Sequence, residues 1–121
     1  EVQFFSPVTN HENSDNCGVE ILGAEEKNFW KDQKGANINS IRTQKSIKDS
    51  DIVVVKFGDK YKQWNAAFDA GYAAALNKSI IVIHGEDHQH ALKEIDAAAS
   101  VVASNNEQVV RIFKYIVKGE L

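Results

Sequence analysis

The sequence predicts a doubly wound α/β domain, in which helices cover both faces of a mostly parallel sheet. Two runs rich in β-branched residues, 51–57 and 79–83, flank an alanine-rich stretch at 63–78. Buried parallel strands need a helix between them, so these segments form a strand–helix–strand unit. Near the carboxyl end, apolar residues recur at helical spacing from Val109 to Val117. We therefore expect a three-layer sandwich of the Rossmann or flavodoxin type.

Length and composition fit one compact domain over residues 1–121, because 43% of the 121 residues are hydrophobic. The net charge of −3, spread without long blocks, argues against binding to a nucleic-acid polymer but permits a small phosphorylated ligand. No run is apolar for long enough to cross a membrane. Cys17 is the only cysteine and no signal-peptide pattern is present, so we expect a cytoplasmic protein.

The first residues of the sequence are unusual for this fold class. Residues 2–5 predict a short buried strand, yet a doubly wound domain should open with a strand and a helix before it. The sequence contains no Met and begins at Glu1. We therefore expect the first strand and helix to be missing from this sequence, and a natural short form is the alternative.

A polar cluster at residues 10–16 follows the predicted strand at 2–5, inside a predicted loop at 9–18. Ligands of open α/β sheets gather beyond the carboxyl ends of strands. Asn10 and His11 lie nearest the strand end and are candidate substrate contacts, although a solvated loop would have the same composition. A short helix is predicted near 28–34, where Phe29 and Trp30 could stack on a base or, more simply, pack against the protein or a second subunit.

A longer helix is predicted at 37–50, with Asn37 as its N-cap and with Ile38 and Ile41 facing the core. In the central helix, Trp64 and Phe68 begin an apolar stripe that we expect to face the sheet, beside a stripe of alanines. Asp69 is the one acid among these small and apolar residues, so any chemistry of this helix begins there.

The run from residue 51 to 83, with Phe68-Asp69-Ala70-Gly71-Tyr72-Ala73 at its centre, resembles the nucleoside 2-deoxyribosyltransferase superfamily, in which an acid-x-Gly-Tyr-Ala helix follows a hydrophobic strand. Four further segments resemble the YtoQ-type branch of that superfamily. They are Ser6-Pro7-Val8-Thr9-Asn10-His11, Asn28-Phe29-Trp30, Ile41-Arg42-Thr43 and Lys62-Gln63-Trp64-Asn65-Ala66-Ala67-Phe68-Asp69. The resemblance implies a nucleoside or nucleotide as substrate and a homo-oligomer whose subunits complete one another's pockets.

The resemblance also gives Asp69 a role. In the superfamily, the acid at this position acts as nucleophile or stabilises the positive charge on the sugar when an N-glycosidic bond breaks. The superfamily usually has Glu there, preceded by an Asp-x-Gly-Thr turn, whereas Gln63, Asn65 and Ala66 occupy the Asp, Gly and Thr places here. We expect an N-glycosidase or a deoxyribosyltransferase-like enzyme, with covalent transfer between bases the less secure of the two.

The remaining candidate substrate contacts lie around the start of the central helix. Gly58, Asp59 and Tyr61 follow the strand at 51–57, and Gln63, Trp64 and Asn65 come next. The Trp64 ring could pack on a base or in the core, and we favour the core.

A histidine-rich loop at 84–90 invites comparison with a metal site, because imidazole and carboxylate both ligate divalent ions. Its spacing matches no standard site, so we expect neither a metal nor another cofactor. A helix at 91–99, with Ala91, Ile95 and Ala98 inward, an edge strand at 101–103 and a final helix capped by Ser104 and Glu107 complete the prediction.

Two alternatives to an enzyme stay open at this point. The same fold could serve as a non-catalytic nucleotide-binding or sensing module, with Gln63 and Asn65 retained for hydrogen bonding. It could also be an assembly domain whose aromatic residues form a subunit interface. Whether Asp69 faces a pocket with room for a sugar separates these readings.

Overall fold

The computed structural model describes residues 2–6, 11–58 and 64–121, except for the side chains of His11 and Glu12. Within these residues the chain forms two compact units, 1–49 and 50–121. The first contains two helices, and the second contains a sheet with three helices. That both units form one domain stays a prediction.

The first unit is an antiparallel pair of helices, α1 (His11–Leu22) and α2 (Asn28–Asp49). The side-chain amide of Asn39 donates to the backbone carbonyl and the hydroxyl of Ser14, at 3.0 and 3.2 Å. Gly18 lies so close to the other helix that a Cβ atom there would come within 2.4 Å of the Gly35 nitrogen. The two backbones therefore touch at a glycine, which no larger residue could replace without moving a helix.

Two predictions for the first unit are wrong. Residues 2–5 form no buried strand: residues 2–6 have no regular secondary structure, and Phe4 is 77% exposed. A strand needs a neighbour in a ladder, and the described sheet is built from the second unit alone. The predicted loop at 9–18 is helical from His11 onward. Its polar composition gives little helical signal, and packing against α2 supplies what local preference lacks.

The helix predicted near 28–34 is confirmed, and it continues without a break to Asp49 as α2. Asn37 therefore lies inside the helix and is not an N-cap. Ile38 is half-buried as expected, but Ile41 is 71% exposed and Ile47 is buried. The buried residues of α2 are Gly35, where α1 approaches, and Ile47 near the end of the helix, so Ile38 and Ile41 do not define its buried face.

The second unit alternates strands and helices as predicted. Its elements are β1 (Ile52–Lys56), α3 (Trp64–Ala75), β2 (Ser79–Ile83), a 3₁₀ turn (Glu86–His88), α4 (Lys93–Ala98), β3 (Val101–Ala103) and α5 (Asn106–Lys118). The strands are parallel in the order β1-β2-β3, with Val54 opposite Ile81 and Ile81 opposite Val101. This open parallel sheet confirms the doubly wound α/β fold and places β3 at an edge.

The central strand β2 is buried on both faces, as parallel strands with helical crossovers must be. Ile81 and Ile83 form one core cluster with Ala103 of β3 and Val109 of α5, and α5 adds Ile112 and Phe113 to it. The prediction that α5 is amphipathic and packs on the sheet is thus confirmed. Burial of side chains of this size contributes about 2 kcal/mol each.

The cap of α5 lies one residue beyond the predicted one. The Asn105 side chain accepts a hydrogen bond from the Gln108 amide at 2.9 Å, while the Gln108 side chain accepts one from the Ser104 amide at 2.7 Å. Asn105 and Gln108 thus form the capping pair that we predicted for Ser104 and Glu107. Asparagine at the cap and glutamine at the third helical position can accept these hydrogen bonds equally well.

Helix α3 turns a different face to the sheet from the one predicted. Trp64 and Phe68 are 75% and 62% exposed, whereas Ala70 and Ala73 are buried. Alanines bring the helix axis closer to β1 and β2 than large rings would, so the narrow alanine stripe faces inward. In α4, which begins at Lys93 and not at residue 91, Ile95 is half-buried as predicted, but Ala98 is exposed, as is Ala91 before the helix.

Candidate functional site

A pocket of about 480 Å³ opens at the carboxyl ends of the three strands. Its volume lies in the range of small-molecule sites. The pocket is lined by Lys56, Phe57, Gly58, Ile83, His84, Gly85, Ser104, Asn105, Asn106 and Glu107. These residues follow or end β1, β2 and β3, so the pocket lies where the parallel sheet places ligands.

His84 forms the buried polar floor of this region. The residue is only 6% exposed, and it directly follows β2. Its Nε2 atom lies 2.8 and 2.7 Å from the two carboxylate oxygens of Asp96 on α4. Its Nδ1 atom lies 2.8 Å from the backbone carbonyl oxygen of Gly85. The imidazole therefore ties the end of the central strand to α4.

Both ring nitrogens of His84 face acceptors, because a carbonyl oxygen and a carboxylate accept but do not donate. Only the doubly protonated ring satisfies both contacts with N–H donors. Burial lowers the pKa of His84, but the hydrogen bond to Gly85 and the contact with Asp96 outweigh it, so the pKa is raised. The geometry thus favours a positive charge on His84 at the pocket.

Lys56 brings a second positive charge to the pocket. Its ammonium group donates to the Asn106 side-chain oxygen at 3.1 Å. Lys56 ends β1 and Asn106 begins α5, so this contact spans the end of the intervening strand β2. The hydrogen bond holds the exposed Lys56 side chain near the first residue of α5.

Asp69 lies on α3 and does not line this pocket, so the pocket does not meet the condition that would favour an enzyme over a binding module. Asp69 is half-buried, and desolvation raises the pKa of its carboxyl group. Within the described part of the chain, the structure contains no hydrogen bond or ion pair to the Asp69 carboxylate. The carboxylate is thus partly removed from water without a described cation or donor to compensate it.

The structure brings together few of the predicted site residues. Gly58 lines the pocket, as expected for the loop after β1. Trp64 and Asn65 form the first turn of α3 and are exposed, but they do not line the pocket, and the predicted core packing of the Trp64 ring is wrong.

The other predicted contacts cannot be placed. Asn10, Asp59, Tyr61 and Gln63 lie outside the described residues. His11 begins α1, and its side chain lies outside the described part of the chain. We predicted that Asn10 and His11 contact the substrate because they follow a predicted strand at 2–5. The structure does not contain this strand, so the two contacts stay a prediction without it.

Sequence reasoning missed Lys56, His84 and Asn106 as pocket residues. The signal that could have found them is their place in the sequence: each ends or closely follows a predicted parallel strand, and the carboxyl ends of such strands meet at one edge. We applied that rule to the predicted strand at 2–5 and to the loop after β1, and not to the ends of β2 and β3. The partner of His84 was harder to find, because Asp96 lies twelve residues away on another element.

For metals and membranes, the described residues give two plain findings. Residues 2–6, 11–58 and 64–121 hold no group of three or more His, Cys, Asp or Glu side chains arranged to bind a metal ion. Among the helices in the same ranges, none is both long and apolar enough to cross a bilayer.

Comparison with known proteins identifies the family. The model of the family described as nucleoside 2-deoxyribosyltransferase YtoQ matches residues 1–117. The protein YtoQ of Bacillus subtilis (strain 168) is 39% identical over 119 residues, which cover 98% of this chain and 80% of that protein. The resemblance inferred from the Asp69 helix and the four flanking segments is thus confirmed. The chain belongs to the nucleoside 2-deoxyribosyltransferase YtoQ family.

Proposed function

We propose that the protein cleaves the N-glycosidic bond of a nucleoside or nucleotide, with Asp69 as the carboxylate that meets the positive charge on the sugar. The family's description as a nucleoside 2-deoxyribosyltransferase supports the substrate class. The single observation that carries the residue assignment is the state of Asp69: a half-buried carboxylate with a raised pKa and no partner within the described residues.

Such a carboxylate suits this chemistry for an electrostatic reason. As the bond from the anomeric carbon to the base nitrogen breaks, its electron pair leaves with the base and positive charge grows on the pentose. A carboxylate in apolar surroundings attracts that charge more strongly than one in water. A fully paired acid would have to give up its partner first.

The reaction is balanced with water as acceptor. The base nitrogen takes the bonding pair and a proton, and water attacks the anomeric carbon and loses a proton. Asp69 either stabilises the cationic sugar or bonds to it transiently before water or a second base displaces it. Aspartate reaches one methylene less far than glutamate, which favours electrostatic stabilisation and hydrolysis over covalent transfer.

Residues around the start of α3 complete the proposed site. Trp64 and Asn65 are exposed in the first turn, where the ring can stack on a base and the amide can donate to a sugar hydroxyl. Gly58 lines the pocket, and Asp59, Tyr61 and Gln63 belong to the connection between β1 and α3. Asn10 and His11 are further proposed contacts. A homo-oligomeric state and a cytoplasmic location are parts of the same proposal.

The direct test is a chromatographic assay of base release. The protein is incubated with a panel of nucleosides and nucleoside monophosphates, beside the Asp69→Ala variant. Release by the wild type and none by the variant is the expected result. If the wild type releases no base yet thermal shift detects nucleotide binding, the enzyme proposal fails and the alternative of a non-catalytic nucleotide-binding module takes its place.

A further inference from the structure

Three polar side chains lie along one face of α3. Asn65, Asp69 and Tyr72 are spaced at i−4, i and i+3, which places them one above another on the helix. Asn65 is exposed, whereas Asp69 and Tyr72 are half-buried. Ala73, the next residue in the chain, is fully buried. The three polar side chains therefore follow the border between the sheet-facing side of α3 and its exposed side.

The Tyr72 hydroxyl has no partner within the described part of the chain. Residues 2–6, 11–58 and 64–121 contain no hydrogen bond to this hydroxyl, just as they contain none to the Asp69 carboxylate. A tyrosine hydroxyl both donates and accepts, and it usually finds a partner where it is buried. A hydrogen bond from Tyr72 to the carboxylate would lower the pKa of Asp69, whereas desolvation raises it. Both groups are thus available to a ligand.

The geometry of a helix directs the Tyr72 side chain toward the other two. In an α-helix the bond from Cα to Cβ leans toward the amino end, and long side chains lie over the preceding turn. Tyr72 follows Asp69 by three residues, so its ring extends over the turn that carries the carboxylate. Helix α3 begins after the carboxyl end of β1, which is the edge where parallel sheets bind ligands.

The hydrogen-bonding groups on this face of α3 match a sugar in their chemistry. The Asn65 amide both donates and accepts, the Tyr72 hydroxyl does the same, and the Asp69 carboxylate accepts. Asp69 is the only charged residue from Trp64 to Asn77, so this part of the helix offers no cation to an anionic group. The hydroxyl groups of a pentose are uncharged, and each donates and accepts.

We propose that Tyr72 is a further substrate contact, whose hydroxyl forms a hydrogen bond with a hydroxyl group of the pentose while Asp69 lies at the anomeric carbon. This inference rests on the proposed function, because it assigns the sugar to the face of α3 that carries Asp69. The contact holds the pentose against the carboxylate. A hydrogen bond to a sugar hydroxyl exists both before and during cleavage, so its loss raises KM and leaves kcat nearly unchanged.

The Tyr72→Phe variant tests this contact, because it removes the hydroxyl and keeps the ring. Base release from adenosine, guanosine, cytidine, uridine and their 2′-deoxy forms is measured for the wild type, this variant and the control Tyr115→Phe, which changes an exposed tyrosine of α5. We expect KM to rise about tenfold in Tyr72→Phe, with kcat within about twofold of the wild type. Urea unfolding should be unchanged, since the hydroxyl has no described partner in the folded protein. The control should match the wild type in both measurements.

A wild-type KM in Tyr72→Phe would overturn the inference, and so would a raised KM together with a loss of stability, because the hydroxyl would then serve the fold. Calorimetric binding of the same nucleosides separates this inference from the proposed function. If the wild type binds a nucleoside without releasing base, and Tyr72→Phe binds it about tenfold more weakly, the contact is supported and the enzyme proposal fails. Base release that depends on Asp69, with KM unchanged in Tyr72→Phe, keeps the enzyme and rejects the contact. A wild type that neither binds nor cleaves these nucleosides rejects both.

Discussion

Two half-buried aspartates on neighbouring helices of the second unit differ in whether a described group pairs with the carboxylate. Asp96 on α4 places both carboxylate oxygens within 2.8 Å of the His84 Nε2 atom. Asp69 on α3 has a raised pKa through desolvation, and no described group pairs with it. Burying a carboxylate costs free energy unless a partner offsets that cost. The contact with His84 indicates that Asp96 stabilises the fold, and the lack of a described partner supports the proposal that Asp69 meets a charge that arrives with the substrate.

Replacing Asp69 by Asn should have the largest effect, and the effect should fall on activity. We expect the rate of base release to drop about 10³-fold, because the amide cannot stabilise a cationic sugar. The free energy of unfolding should stay the same or rise at neutral pH, since a raised folded-state pKa means that ionised Asp69 weakens the fold. Initial rates and urea unfolding of the same preparation check both parts. Wild-type rates in this variant would contradict the proposed role of Asp69 in base release.

Replacing Asp96 by Asn should have the opposite effect, lowering stability and leaving activity nearly unchanged. His84 would lose the carboxylate that accepts its Nε2 hydrogen, so we expect a loss of about 1–3 kcal/mol in the free energy of unfolding. Activity per folded molecule should change little. Glu94→Gln, an exposed carboxylate on the same helix, is the matched control and should unfold as the wild type does. Equal stability of the Asp96 and Glu94 variants would mean that the contact with His84 contributes nothing.

A smaller effect is expected from Gly71→Ala, which strengthens α3 without touching either aspartate. A Cβ atom at Gly71 meets no heavy atom within 4 Å. Alanine inside a helix is favoured over glycine by about 1 kcal/mol, so thermal and urea unfolding should show a gain of about that size. A loss of stability instead would show that Gly71 contacts another part of the chain.

The smallest effect is the pH dependence carried by His84, because burial works against the charge that Asp96 and Gly85 favour. Since the folded-state pKa is raised above the unfolded value, the stabilisation is fully present below the unfolded pKa and is lost as pH rises through the folded one. Urea unfolding from about pH 5 to about pH 9 should show this loss, and His84→Gln should remove it. His90→Gln, at an exposed histidine, should leave it in place.

How far the sequence predicted the fold depends on how dense the apolar pattern was. The β-branched runs of β1 and β2 and the stripe from Val109 to Val117 each repeat at one period, and the structure confirms all three elements. Helix α1 has no such pattern. Its helical state depends on contact with α2 around Gly18 and Gly35. Local preference could not predict a structure that is stabilised by a partner distant in sequence.

Only part of the candidate site could be predicted, because contacts between residues distant in sequence leave no local pattern. Asp69 could be found because it is the one acid in a small, apolar helix. The orientation of that helix could not be predicted, because alanines carry a weak hydrophobic signal yet permit the closest approach of a helix to the sheet. The alanines therefore face the sheet, and Trp64 and Phe68 are exposed. The link between His84 and Asp96 joins residues twelve positions apart on different elements, and no periodicity indicates it.

The role proposed for Asp69 depends most on the ionisation of its carboxyl group, which carboxyl ¹³C NMR measures in the free protein. The resonance is assigned by its absence in Asp69→Asn, and its titration is followed from about pH 2 to about pH 8. We predict a pKa above the ordinary aspartate value of about 3.9, as desolvation without a partner requires. A pKa at or below that value would mean that a cation or hydrogen-bond donors already compensate the carboxylate, and it would contradict the role proposed for Asp69.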